Sequence, residues 1–559
     1  MTLDETYERI LLGIDREKRE HTIRLLRCLA IARRPLRAQE LAEVLATHFD
    51  GPIPTLDISL RPGDADEAVL SACSALVAIV KPDVESMSHY DDVRVVQFSH
   101  YSIKEFLTSE RLAKSEKGDI SQYHVSLEPA HTVLAQSCLG TLLQPNLHVG
   151  GTTGHFPLAK YAAENWFHHG QYDGVAPKIQ SGIESLFDLD RTHFESWLSI
   201  HDIDDSWYWR YSTGTRASPL YYAALCGIGS LVEHLLITCR QGQSHGKQGS
   251  PLRAAIISGH TEVTRLLIRH AAGAVRFNVN VRERYNMTLL HDAVNSGNLD
   301  IAKILISYGA DINARDGQGR SVLQEALRNR KFDITELLIE CGAECGVGVW
   351  ALHHDHSAPL HEAIDSGNLE IAQLLIGHGA DVNAPDKWGD RPFHRAVRSR
   401  SLDLVELLLK SGADIGARGM SGSSPLHEAL ENGNLDIARL LIGYGANVNA
   451  HDKWGDSPFH VAVRSQRLDF VELLLESGAD VDVRGMNDST PLHEALDNGN
   501  LDIAQLLINH GADVNVPDKW GHSPLCHALQ RQKPDVVELL ASGGADVDAR
   551  GWCFARHDS

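Results

Sequence analysis

The chain has 559 residues, more than one hydrophobic core organises, so two or more domains are expected. A formal net charge of −22 sets the molecule against nucleic acid and anionic membranes, and no apolar run approaches the length of a bilayer span. The N-terminus, Met1-Thr2-Leu3-Asp4-Glu5, has neither a basic region nor an apolar signal segment, and nine cysteines form no framework; the expectation is an intracellular, cytoplasmic chain with reduced thiols, with the nucleus also open to it.

Residues 1–115 read as a small mixed domain. Thr2 with Glu5 fits a capping box, and Tyr7, Ile10, Leu11 and Ile14 follow at helical spacing. Residues 17–32 predict a denser apolar helix, 36–46 another, 50–63 a Pro- and Gly-rich loop, and 64–75 a further helix. Leu76–Val80 and Val93–Phe98 predict two strands of a hairpin whose polar connection is Lys81–Asp92. Helices followed by a hairpin describe a winged helix. The helix that would enter a DNA groove, 64–75, bears Asp64, Asp66 and Glu67 and no Lys or Arg, so nucleic acid is not an expected partner.

The segments Leu25-Leu26-Arg27-Cys28-Leu29-Ala30, Arg34-Pro35-Leu36, Glu40-Leu41-Ala42-Glu43 and Val96-Gln97-Phe98-Ser99-His100-Tyr101 resemble the GPI inositol-deacylase-like winged-helix region of fungal NACHT-type signalling NTPases. That resemblance covers roughly residues 2–145 and implies a place between a nucleotide-binding domain and a repeat sensor. The NTPase itself is missing. The nearest approach to a phosphate loop, Gly242-Gln243-Ser244-His245-Gly246-Lys247-Gln248, is one residue short and has Gln248 where a magnesium-binding hydroxyl belongs; it reads as a linker.

Residues 116–213 predict a helical connector, with helices at 128–143, 158–168, 175–187 and 191–200. Its late aromatics, Trp166, Phe167, Trp197, Trp207 and Trp209, are expected to pack against the first of the repeats that follow.

From 214 to 559 the chain repeats itself about ten times. Ser218-Pro219, Ser250-Pro251, Thr288-Leu289 and Ser321-Val322 open irregular copies; Pro359, Pro392, Pro425, Pro458, Pro491 and Pro524 open regular ones at a step of 33 residues. In Ser424-Pro425-Leu426-His427 a hydroxyl stands at a helix N-cap and proline at the first helical position. Gly433 suits the helix end, Asn434 caps a second helix whose apolar face is Ile437, Leu440, Leu441 and Ile442, and Gly445 closes it. Two such short helices bury no core alone, so stability comes from neighbours. Period, the TPLH-like start and the later GADVN together resemble the ankyrin repeat. A longer period overlies this one: Asp-Lys-Trp-Gly recurs at 386, 452 and 518, and Arg-Gly-Met at 418 and 484, so the copied unit is a pair of repeats, A then B.

No nucleophile motif appears, and neither a catalytic nor a cofactor site is expected. His361-Glu362 and His427-Glu428 lack the second histidine of a zinc helix, and their expected role is hydrogen bonding within the first turn. His353, His354 and His356, near Cys341 and Cys345, have zinc-ligand chemistry without fixed spacing, and no metal site is assigned to them. Ankyrin proteins bind through loop tips and the exposed side of the first helix. Here the tips carry Lys387, Trp388 and Asp390, Lys453, Trp454 and Asp456, and Lys519 and Trp520, with Met420 and Met486 between them. Along the first helices the charges alternate by repeat: Glu362 and Asp365, Arg395 and Arg398, Glu428 and Glu431, Val461 and Arg464, Glu494 and Asp497. They are read either as ion pairs between repeats or, for Arg398 and Arg464, as part of a partner surface; the tryptophans are read as packed on their own loops or as contacts for a partner.

The expected architecture is mostly α: a winged helix, a helical connector and an ankyrin solenoid with hairpin loops. The expected function is protein–protein recognition, as the sensor or adaptor arm of a NACHT-type system. Self-assembly through the uncapped last repeat is the alternative.

Overall fold

A computed structural model of the protein describes residues 3–81, 94–145, 147, 155–188, 192–204, 217–238, 246, 249–272, 278–346, 358–419, 421–530 and 533–546. The chain forms two units, Met1–Asn278 and Val279–Ser559.

The first unit begins with α1 (Leu3–Leu12), α2 (Arg19–Ile31), β1 (Leu36–Arg37), α3 (Ala38–Leu45), β2 (Thr47–His48), β3 (Thr55–Leu56), α4 (Ala65–Cys73), β4 (Val77–Val80) and β5 (Val95–Phe98). A three-stranded antiparallel sheet has the order β1-β5-β4, with Leu36 opposite Val96 and Val77 opposite Phe98. The sequence reading began a helix at residue 36. Leu36 and Arg37 are instead extended, because their backbone completes the sheet beside β5 and the helix cap falls on Arg37. The Glu40 carboxylate accepts from the Arg37 backbone N–H at 2.8 Å and from the Arg34 guanidinium at 2.8 and 2.7 Å, which is why a fully buried glutamate is tolerated there. The predicted loop 50–63 contains β3, which pairs with β2 (Thr47 opposite Leu56). The predicted hairpin connection lies largely outside the described residues.

α5 (Tyr101–Leu107) and α6 (Glu110–Ala113) complete the stretch before residue 116, and the connector follows as α7 (Leu127–Leu142), α8 (Ala159–Gly170), α9 (Ala176–Leu186) and α10 (His193–Ile200). Its aromatics form a continuous stack. Trp166 and Trp197 meet edge to face at 5.5 Å, the Trp197 indole N–H donates to the Ala163 carbonyl at 3.0 Å, and Phe194 meets Tyr222 of the first repeat at 5.7 Å. The rings therefore do pack onto the repeat Pro219–Cys226. Trp207 and Trp209 lie outside the described residues.

Ten helix pairs fall within the described residues, two in the first unit and eight in the second. In the second unit the first helices include Pro359–Asp365, Pro392–Arg398, Pro425–Glu431, Pro458–Arg464 and Pro491–Asn498, each packed on the next. The reasons are those the sequence supplies. Ser424 is the N-cap with Pro425 at the first helical position, Gly433 takes φ +71°, and Asn434 Oδ1 accepts from the Ile437 N–H at 3.1 Å. The hairpin loops expected between repeats are turns among the described residues, closed at most by single bridges such as Arg282–Thr288 and Arg315–Ser321.

Cys28, Cys73, Cys138, Cys226, Cys341 and Cys345 are free thiols, whereas Cys526 is disulfide-linked, which departs from the expectation of reduced thiols throughout.

Candidate functional site

Each Asp-Lys-Trp-Gly loop is a turn wound around its own aspartate. Asp452 Oδ1 accepts from the backbone N–H groups of Trp454 at 2.8 Å and Asp456 at 2.9 Å, and Gly455 supplies φ +92°. Asp386 holds the N–H groups of Trp388 and Asp390, both at 2.9 Å, and Asp518 those of Trp520 and His522. The turn leaves the indoles in solvent: Trp388, Trp454 and Trp520 are 48%, 53% and 59% exposed. A lysine ammonium covers each ring face, at 4.1 Å for Lys387, 4.4 Å for Lys453 and 4.5 Å for Lys519. Trp388 and Trp454 are two repeats apart; at about 8–10 Å per packed helix, that is about 16–20 Å. Met486, 52% exposed, lies between the second and third tips in sequence. Met420 lies outside the described residues.

Three first-helix arginines pair with carboxylates of neighbouring repeats. Arg395 bridges Asp365 of the preceding repeat and Asp386 of its own loop, the latter at 2.9 Å. Arg398 bridges Asp390 at 2.5 Å and Glu428 of the following repeat at 3.2 Å. Arg464 repeats that bridge with Asp456 and, at 3.2 Å, Glu494. Burial raises Asp386, but hydrogen bonds from Arg395 and the two backbone N–H groups outweigh it and hold the carboxyl below its ordinary value. Burial pushes Glu428 up to about 7 against the pull of Arg398. Asp456 is itself buried, with its second oxygen accepting from the Met486 N–H at 2.8 Å, so it fixes the positions of Arg464 and Met486 and presents no free carboxylate. Beside Trp388, a cleft of about 380 Å³ is lined by Asp365, Asp386, Asp390, Arg395 and Arg398.

The TPLH-like histidines are buried and act between repeats. Ser424 donates its backbone N–H to His427 Nδ1 at 3.2 Å, which fixes the proton on Nε2; Nε2 then donates to the Asp456 carbonyl at 3.2 Å. His460 reaches the Ser489 carbonyl at 3.1 Å in the same way. The first-turn role was legible in the sequence; the second bond, to the next repeat, was not. The Asn of GADVN was also missed. Asn383 accepts from the Asp414 N–H at 2.8 Å and donates to the Gly412 carbonyl at 3.1 Å, clasping the following repeat, and Asn449 does the same for Asp480 and Gly478. Recurrence of that asparagine at the repeat period was the available signal.

The sequence model of the family described as ankyrin repeats (3 copies) matches residues 220–316, 323–419, 393–485 and 482–551. The azaphilone pigments biosynthesis cluster protein L of Monascus ruber is 29% identical over 290 residues, covering 48% of this chain and 59% of its own. The chain thus spans little more than half the length of that curated relative. Among solved structures, the ankyrin repeat domain of Bcl-3, described as a unique member of the IkappaB protein family, is 29% identical, with 40% of this chain and 99% of that one covered at a TM-score of 0.37.

Proposed function

The chain belongs to the ankyrin-repeat family, and on that footing we propose that it is a protein-recognition module that grips its partner with three tryptophan tips. The observation that carries the reading is the set of three indoles, each about half exposed and held by the aspartate of its own loop at the same place in alternate repeats. A folded chain gains nothing for its own core from rings left in water, whereas a large flat indole is the side chain most often found at binding hot spots. The lysine over each ring favours a partner with carboxylates beside its apolar contacts. Arg398 and Arg464 contribute their exposed edges to the same face, while their inward bonds set its register.

In this reading the chain binds and does not catalyse. The finer context is that of a sensor or adaptor arm in a NACHT-type system, with the first domain as its winged helix. The order from α2 to β5, helix, strand, helix, two short paired strands, helix, strand, strand, supports that assignment. Co-purification of the full chain with a P-loop NTPase of its own cell tests the context.

The binding reading is tested by affinity capture with the full chain and with Trp388→Ser/Trp454→Ser/Trp520→Ser. The expected result is loss of captured protein with the melting temperature retained. Undiminished capture by the triple variant overturns it.

A further inference from the structure

The three B repeats are copies of one another, and one first-helix position has changed its residue in each. In the first copy Arg395 lies between two carboxylates, Asp386 of its own loop and Asp365 of the preceding repeat. In the second copy the equivalent residue is Val461, so no arginine stands at that position for Glu431 and Asp452; burial, less the pull of Arg464 and with the push of Asp452, raises Glu431. In the third copy the residue is His527, between Asp518 and Asp497. A second substitution accompanies it: the position of Asp390 and Asp456 is His522.

The result is a compact set of donors. His527 Nε2 lies 3.0 Å and His522 Nδ1 3.9 Å from Asp518 Oδ2, and one ligand atom from each of the three residues falls within 4.8 Å of the others. The Asp518 side chain is 3% exposed, and those of His527 and His522 are 18% and 30% exposed. Asp518 Oδ1 is occupied by the N–H groups of Trp520 and His522, so Oδ2 alone points at the imidazoles.

We propose that Asp518, His522 and His527 form a binding site for a zinc-class divalent cation, which takes the place that the Arg395 guanidinium holds in the first copy. Two imidazoles and a carboxylate are the donor types zinc favours, and a tetrahedral ion with bonds of about 2.0–2.1 Å sets its ligand atoms about 3.3 Å apart. The spacings of 3.0 and 3.9 Å straddle that separation. The far side of the ring completes the arrangement. His527 Nδ1 faces Asp497 Oδ1 at 3.6 Å, so a carboxylate stands behind the ring where it can orient the imidazole once Nε2 exchanges its 3.0 Å bond to Asp518 for the cation. The site lies under the Trp520 tip, so the cation would stiffen the loop that presents that ring.

The test is zinc titration of the full, untagged, metal-free chain by calorimetry, beside His522→Gln and His527→Arg. The arginine variant restores the bridge of the first copy and so keeps the repeat folded without metal. The wild type is expected to bind one zinc equivalent more than either variant. Cobalt(II) in its place should give the visible absorption of a tetrahedral ion, absent from both variants. Zinc should raise the melting temperature of the wild type and leave that of His527→Arg unchanged. Equal stoichiometry in all three proteins overturns the proposal, and so does a wild type protected equally by acid and by zinc, which would mean that protonated His527 alone replaces the guanidinium.

Discussion

The Nε2 of His427 donates to the carbonyl of Asp456, 29 residues ahead, across 3.2 Å of buried space. One imidazole thus ties the cap of its own helix to the turn that precedes the next. Because Nδ1 is satisfied by Ser424, truncation removes two partners at once. His427→Ala should cost about 2–4 kcal/mol, from a buried carbonyl and a buried hydroxyl left without bonds. Urea unfolding of the full chain measures it, and a loss below about 1 kcal/mol would refute the two-repeat role.

His361 is the same histidine in a repeat whose cap residue is Ala358, and its Nδ1 is buried with no hydrogen-bond partner. Ala358→Ser replaces a residue already extended at φ −60°, ψ 154°, so the hydroxyl enters without backbone change. It should stabilise by about 1–2 kcal/mol, through the restored cap and the satisfied imidazole. An alanine-to-serine change at an exposed loop position has no such basis, so the gain is specific to this site.

Burial holds His361 down at about 4, with Arg395 adding to the depression and the Asp390 carbonyl, Asp386 and Asp365 opposing it. A folded value below the ordinary 6.5 means the unfolded chain binds the proton first. Its contribution is therefore whole above pH 6.5 and is lost as pH falls toward 4. Glu428 runs the other way: with its carboxyl raised to about 7, its contribution is whole below 4.5 and is lost as pH rises through 7. Melting temperatures of wild type and His361→Gln between pH 8 and pH 4 separate the two, since the variant should lose part of the acid-side slope and keep the alkaline one.

At the position of Arg395 the second B repeat has Val461, leaving Glu431 and Asp452 without a bridging guanidinium. Val461→Arg should restore the bridge and stabilise the chain by about 1 kcal/mol, the size of a partly screened, charge-assisted bond. Arg395→Val should cost about as much or more, since Asp386 is the more deeply paired carboxylate. Denaturant midpoints decide both, and a destabilised Val461→Arg would show that the pocket there has closed.

Much of this was legible in the sequence because repetition amplifies local signals. Ser424 with Pro425, Gly433 and Asn434 state their roles by chemistry alone, and six copies removed any ambiguity of register. The connector helices emerged within two or three residues because apolar residues such as Leu134 and Cys138 recur at helical spacing. Leu36 and Arg37 misled because their extended state is imposed by a strand some sixty residues away. The interrepeat bonds of His427 and Asn383 were hidden for the same reason: a donor names its chemistry, not its distant acceptor. At Arg400 and Gln466, φ values of +60° and +58° stand where the A repeats have glycine, so the turn is held by its neighbours even where the residue type argues against it.

The bridges made by Arg398 and Arg464 carry a consequence for how such a gene grows. Each arginine belongs to a B repeat and finds its distal carboxylate on the A repeat that follows. Inserting or deleting a single 33-residue copy would set two arginine faces, or two acidic faces, against each other at the junction. Unequal crossing-over should therefore be tolerated only in steps of 66 residues, and the array lengthens or shortens by whole pairs.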